Sequence, residues 1–129
     1  MSARIAVVED NPDNRLLVRA ILEELYEVEE YANGPDALAG LATSRPDLVL
    51  LDISLPGMDG VEVLRRVRAD ARLAALPVVA LTAHAMAGDR EKFLAAGFDE
   101  YVTKPIVDED VLLDTIALRL TRRAALAAS

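Results

Sequence analysis

Polar residues that could bind a cation follow the apolar runs of this sequence. Glu9 and Asp10 come directly after "IAVV" (5–8), and Asp52 comes directly after "LVLL" (48–51). If these runs form neighbouring strands, about 4.8 Å apart, the three carboxylates lie close together and repel one another. Oxygen-only ligands with room for water suit Mg²⁺ rather than zinc. The residues therefore predict a magnesium site.

Two further polar residues extend the prediction to phosphoryl chemistry. Thr82 follows "VVAL" (78–81), and Lys104 follows "EYVT" (100–103). A divalent cation held by carboxylates can bind phosphoryl oxygens, while a lysine charge and a threonine hydroxyl neutralise the remaining ones. Asp52 is then placed as a nucleophile that would form an aspartyl phosphate.

The elements that must position these side chains alternate along the chain. The apolar runs 5–8, 48–51 and 78–81 are typical of strands buried on both faces of a parallel sheet. The more polar segments 27–31 and 100–103 suit edge strands. Apolar residues at helical spacing lie between them: Leu17, Ala20, Ile21, Leu25, Val61, Val63, Leu64, Val67, Phe93, Leu94, Ala95, Val111, Leu112, Ile116 and Leu120. This alternation predicts a doubly wound α/β domain.

Composition limits the classes of function. The 129 residues, 53% hydrophobic and 28% charged, suit one globular domain, which we place at 1–121 with a short C-terminal tail at 122–129. The net charge of -8 argues against nucleic acid or an anionic membrane as the main partner. The longest uncharged run, 73–88, is shorter than the ~20 residues of a membrane span. We expect a cytoplasmic protein and interpret the Arg-rich segment 65–72 as a solvated helix face.

Four motifs in order, "VVEDN", "LVLLDISLPGMDG", "VVALTAHA" and "YVTKPI", resemble the receiver domain of two-component response regulators over about 4–120. The resemblance implies a flavodoxin-like, five-stranded parallel sheet of order 2-1-3-4-5. It also implies phosphorelay signal transduction, in which a histidine kinase or phosphotransfer protein phosphorylates the domain with Mg²⁺ as cofactor. Such a phosphoprotein is a signalling domain rather than an enzyme, although it catalyses its own phosphorylation and dephosphorylation. Its downstream protein partner is unknown.

The resemblance assigns a role to each residue that matches a motif. Asp52 matches the phosphoacceptor, and Glu9 and Asp10 match the acidic pair that binds Mg²⁺ together with Asp52. The backbone carbonyl of Ser54 matches the remaining protein ligand of the metal. These assignments agree with the site inferred from the residues alone.

The resemblance also implies a conformational switch. Thr82 and Lys104 match the hydroxyl that senses the phosphoryl group and the lysine of the family, and Tyr101 matches the aromatic residue that follows the movement of the threonine. The responding surface is formed by the fourth helix, the fifth strand and the fifth helix. A cis peptide bond is implied between Lys104 and Pro105.

Contacts with the phosphodonor and the lifetime of the phosphoryl group follow from the same resemblance. The donor is expected to dock near the site, against Asn14, Leu17 and Ile106. The side chains of Ser54 and His84 are expected to tune hydrolysis by admitting or ordering water. His84 is otherwise interpreted as an exposed loop residue.

Other classes share parts of the pattern. A phosphatase of the haloacid dehalogenase type also uses an aspartate nucleophile with Mg²⁺, but it needs a second acid where this chain has Ser54. A flavin carrier needs a hydroxyl- and glycine-rich phosphate loop, whereas "EDNPDN" after the first strand is acidic. A degenerate receiver that acts as a scaffold stays open, as does a receiver excised from a hybrid sensor histidine kinase, beside the stand-alone regulator that the length favours.

Overall fold

The structure is a computed structural model that describes residues 3–83, 89–104, 106 and 108–128, with side chains as far as 121. The predictions for His84 and for the peptide bond before Pro105 lie outside these residues. Five strands alternate with five helices: β1 (Arg4–Val8), α1 (Pro12–Leu22), β2 (Glu27–Tyr31), α2 (Gly34–Ser44), β3 (Leu48–Asp52), α3 (Gly60–Ala69), β4 (Val78–Thr82), α4 (Asp89–Ala96), β5 (Glu100–Thr103) and α5 (Glu109–Ala128).

All neighbouring strands are parallel, and their order is β2-β1-β3-β4-β5. Both the doubly wound class and the strand order are therefore confirmed. β3 and β4 are buried along their whole length, whereas β2 is only partly buried. This difference explains why the central strands are continuous apolar runs and β2 is polar. α5 continues across the predicted boundary between 121 and 122, so the division into domain and tail stays a prediction.

The helices cover the two faces of the sheet with separate cores. On one face, α1 and α5 pack against β1, β3, β4 and β5 through Val18, Ile21, Leu112 and Ile116. On the other face, α2 and α3 pack on the sheet, and Phe93 of α4 joins the edge of that core. Coverage of both faces leaves the two ends of the strands as the places where polar side chains can gather.

Not every apolar residue at helical spacing is buried. The buried stripe of α1 consists of Val18, Ile21 and Leu22, so Leu17 points away from it and is 40% exposed. Leu25 is 56% exposed because α1 has already ended at Leu22. Val61 and Val111, in the first turns of α3 and α5, are also exposed. Apolar spacing located the helices correctly but did not place every member on the buried face.

Candidate functional site

The register of the sheet brings the predicted site residues to one edge. Val8 is paired with Leu51, so the residues that follow β1 lie level with the end of β3. Asp52 is paired with Leu81, immediately before Thr82. Thr82 is in turn paired with Thr103, immediately before Lys104, whose amide donates to the Thr82 carbonyl at 2.8 Å. The carboxyl ends of four parallel strands thus bring the predicted residues together at one edge of the sheet.

Three carboxylates form the centre of this site. Glu9, Asp10 and Asp52 each offer an oxygen atom, and these atoms lie within 4.8 Å of one another. Glu9 is 0% and Asp52 2% exposed, whereas Asp10 is exposed. Burying carboxylates is costly unless a partner compensates them. The close set of hard oxygen ligands, open to solvent at Asp10, therefore fits Mg²⁺.

Lys104 lies between the two buried carboxylates. Its Nζ is 2.9 Å from Glu9 Oε1 and 3.1 Å from Asp52 Oδ2. The ammonium group is thus bound to both acids, which the sequence analysis had treated only as mutually repulsive. Lys104 offsets that repulsion, and it is in reach of any group attached to Asp52.

The surroundings shift the pKa values of the two buried acids in opposite directions. Burial and a hydrogen bond with Asp52 raise the pKa of Glu9 to about 7, although Lys104 acts to lower it. Burial acts to raise the pKa of Asp52, but hydrogen bonds with Glu9, the Ser54 amide and Lys104 outweigh it and lower the pKa. Of the two acids, Glu9 therefore binds a proton more readily. Asp52 is the ionised partner, which is the form that a nucleophile needs.

Ser54 contacts the acidic cluster through its backbone. Its amide donates to Asp52 Oδ1 at 2.9 Å, which fixes one carboxylate oxygen while the other faces Lys104. The role of the Ser54 carbonyl as a metal ligand stays a prediction. A glycine behind the site is also required: a Cβ on Gly60 would collide with the backbone carbonyl of Asp52. Gly60 thus lets α3 begin directly against the end of β3.

The first turn of α1 holds the acidic pair, a role that the sequence analysis missed. Asn11 caps this helix by accepting from the amides of Asp13 at 2.8 Å and Asn14 at 3.2 Å. The turn brings the Asn14 side-chain amide to 3.0 Å from Glu9 Oε1. Arg15 reaches the backbone of the same loop. The capping sequence could have revealed the turn, but not which atoms its side chains contact.

Thr82 and Tyr101 occupy adjacent strands beside the site. Thr82 is buried at the end of β4, and Tyr101 is half-buried on β5. The Tyr101 ring lies on the side of the sheet that carries α4, with its centroid 5.5 Å from that of Phe93. Tyr101 can therefore transmit a local movement to α4, although its switch role stays a prediction.

A doubly wound fold with an acidic site at the carboxyl edge of its sheet is shared with known signalling domains. The chain matches the response regulator receiver domain family over residues 5–117 and belongs to that family. It is 45% identical over 123 residues to the response regulator PleD of Caulobacter vibrioides, covering 95% of this chain and 27% of PleD. It is 41% identical over 107 residues to the polar-differentiation response regulator DivK of Brucella anthropi, covering 82% of this chain and 87% of DivK.

Receivers of sensor kinases are similar as well. The sensor protein GacS of Pseudomonas syringae is 42% identical over 112 residues, covering 84% of this chain and 12% of GacS. The chain thus spans about a quarter or less of the length of PleD and GacS. A solved receiver domain of a sensor histidine kinase from Pseudomonas aeruginosa, with a magnesium ion coordinated in its active site cleft, has a TM-score of 0.85 and 35% identity, covering 94% of this chain and 99% of that domain. Among the described residues, no helix is long and apolar enough to cross a membrane.

Proposed function

We propose that this receiver accepts a phosphoryl group on Asp52 from a phosphohistidine of a histidine kinase or phosphotransfer protein. The observation that carries the proposal is the environment of Asp52. Its carboxylate is buried, has a lowered pKa and lies 3.1 Å from Lys104 Nζ. It is also within 4.8 Å of two further acids. A buried, ionised carboxylate between a cation and a candidate metal site is suited to attack phosphorus.

Phosphoryl transfer replaces one bond to phosphorus with another. An Asp52 carboxylate oxygen forms a bond to phosphorus while the nitrogen–phosphorus bond of the donor breaks. The bonding electron pair remains on the donor imidazole, which then takes up a proton. Lys104 pairs with Asp52 before the reaction and can pair with a phosphoryl oxygen afterwards. In hydrolysis, a water oxygen forms a bond to phosphorus while the bond between Asp52 and phosphorus breaks, which releases inorganic phosphate and restores the carboxylate. The domain would catalyse its own dephosphorylation through this step.

Glu9, Asp10 and Asp52, with the carbonyl of Ser54, would hold Mg²⁺. When bound, the metal would neutralise charge on the transferring phosphoryl group. The three side chains offer only oxygen ligands, two of them from buried acids, so the donor set supports this cofactor. The magnesium ion in the similar kinase receiver supports the same choice.

The response would pass through Thr82 and Tyr101. The phosphoryl group draws the Thr82 hydroxyl towards it, and Tyr101 fills the space that the threonine leaves. The contact between Tyr101 and Phe93 supports a path to α4, and hence to the surface of α4, β5 and α5. Such a two-state element is biased by local charge. Amide exchange with a phosphoryl mimic should change at this surface, and a change restricted to Asp52 would contradict the switch.

The donor would dock beside the site, where Asn14, Leu17 and Ile106 line a small cleft that Glu9 and Lys104 close. The exposed Leu17 side chain supports this surface, because it belongs to neither core. Glu9 and Lys104 of the acidic site also line this cleft. A donor docked over it would therefore bring its phosphohistidine close to Lys104, which pairs with Asp52.

The test of the proposal is chemical phosphorylation. With Mg²⁺ and acetyl phosphate, intact-protein mass spectrometry should show one added phosphoryl group, and Asp52→Asn should abolish it. Asp114→Asn, on an exposed position of α5, is the matched control and should be labelled like the wild type. Equal labelling of Asp52→Asn and the wild type would refute the assignment of the phosphoacceptor.

A further inference from the structure

Arg15 connects the first turn of α1 to the backbone that carries the acidic pair. Its Nη1 donates to the carbonyl oxygen of Glu9 at 2.8 Å and to that of Asp10 at 3.2 Å. The guanidinium group contacts neither carboxylate through these bonds. One side chain thus holds two successive peptide units, those from which two of the three clustered acids project.

The other bonds described in the loop between β1 and α1 hold Glu9 and the Asn11 cap. The Glu9 amide continues the sheet by donating to the Tyr31 carbonyl at 3.0 Å. The next amide in the loop that bonds to this segment, that of Asn11, is 3.5 Å from Glu9 Oε2. The Asp10 side chain is exposed, so no surrounding packing fixes its direction. The orientation of its carboxylate therefore depends on the orientation of its backbone.

We propose that Arg15 is a positioning residue for the metal site, which rests on the proposed function of that site. By holding both carbonyls, Arg15 fixes the backbone of Glu9 and Asp10 so that their carboxylates meet Asp52. Arg15 is not a ligand. Groups that orient metal ligands in this way are known to affect metal affinity even though they do not touch the metal.

Because Arg15 is positively charged, the direction of the change in Mg²⁺ affinity on its removal tests the proposal. A guanidinium near a cation site repels Mg²⁺, so its removal would tighten binding if charge were its only effect. If Arg15 positions the ligands, its removal weakens binding. The two effects act in opposite directions on one measured dissociation constant.

The experiment is a Mg²⁺ titration of the full chain in which calorimetry measures the dissociation constant. Arg15→Met keeps the length of the apolar stem and removes the donors, and we expect a dissociation constant about tenfold weaker. Arg15→Lys keeps the charge but carries its donors on a shorter side chain, and we expect an intermediate value. Arg66→Met, in the last turn of α3, also removes one positive charge and should leave the affinity close to that of the wild type.

A second readout needs no metal. In the metal-free protein, amides of residues 9–11 should exchange faster in Arg15→Met than in the wild type, with protection of β3 and β4 unchanged. If the wild type binds Mg²⁺ and Arg15→Met binds it equally tightly or more tightly, this inference alone is overturned. If the wild type itself showed no saturable Mg²⁺ binding, the proposed metal site would fail instead. Should Arg15→Met not fold, Arg15→Ala takes its place, because it removes the same donors and favours the helix, and affinity equal to or tighter than that of the wild type would also refute positioning.

Discussion

Two charged clusters lie at opposite ends of the sheet, and they are built differently. At the carboxyl ends of the strands, three acids lie close together, and the ammonium group of Lys104 pairs with two of them, Glu9 and Asp52. At the amino ends of β4 and β5, the guanidinium of Arg68 donates to the Asp99 carboxylate and to three backbone carbonyls: those of Ala74, Leu76 and Gly97. Asp99 also accepts from the Val78 amide at 2.8 Å.

The difference between these clusters is one of balance. The donors of Arg68 are matched by fixed acceptors of the protein, so this cluster needs nothing further to be stable. The acidic site has an excess of negative charge, which only a cation from solution can neutralise. A structural cluster is thus complete within the fold, whereas a site for chemistry is complete only with its ligand.

The largest expected effect is on the structural cluster. Arg68→Met should lower the free energy of unfolding by about 4 kcal/mol, because it leaves three carbonyls and Asp99 without their charged donor. Mg²⁺ should not restore this loss. Denaturant unfolding with and without Mg²⁺ measures both quantities, and Arg65→Met, on an exposed side chain of the same helix, is the control. Recovery of Arg68→Met by Mg²⁺ would remove the distinction between the two clusters.

A smaller effect is expected at the acidic site, where the ligand should compensate. Lys104→Met should lower the metal-free stability by about 3 kcal/mol, since it leaves Glu9 and Asp52 without their cation. Mg²⁺ should restore most of this loss, because it supplies positive charge to the same carboxylates and binds only the folded chain. The stabilisation by Mg²⁺ should therefore be larger in Lys104→Met than in the wild type. An equal or smaller increment would show that Lys104 does not offset the carboxylates.

The sequence predicted the acidic site better than the structural cluster. Glu9 and Asp52 each follow an apolar run, Lys104 follows the more polar edge strand, and parallel strands bring their carboxyl ends together, so local order in the chain was sufficient. Arg68 belongs to the segment interpreted as a solvated helix face, and that interpretation is wrong for this residue because its acceptors are mostly backbone carbonyls. Carbonyls are present at every residue, so no sequence pattern marks them. The contacts of Arg15 were missed for the same reason.

The smallest expected effect is a pH dependence that only the acidic site should show. The pKa of Glu9 is raised from 4.5 to about 7 in the folded protein. Between these values the folded state keeps a proton that the unfolded chain has lost. The stabilisation is complete below pH 4.5 and is lost as pH rises through about 7. The metal-free protein should therefore lose on the order of 2 kcal/mol of stability between pH 5 and pH 7.

Denaturant unfolding in a chelator, repeated across this pH range, measures the loss. The lowered pKa of Asp52 and the raised pKa of Lys104 place their own titrations outside the window, so neither of them contributes to the slope. Glu9→Gln cannot titrate and should remove most of the slope, whereas Arg68→Met should be less stable throughout but keep it. A slope that survives in Glu9→Gln would mean that the proton is held elsewhere. Glu9 would then no longer support the contrast between a balanced cluster and one that binds a proton or a metal.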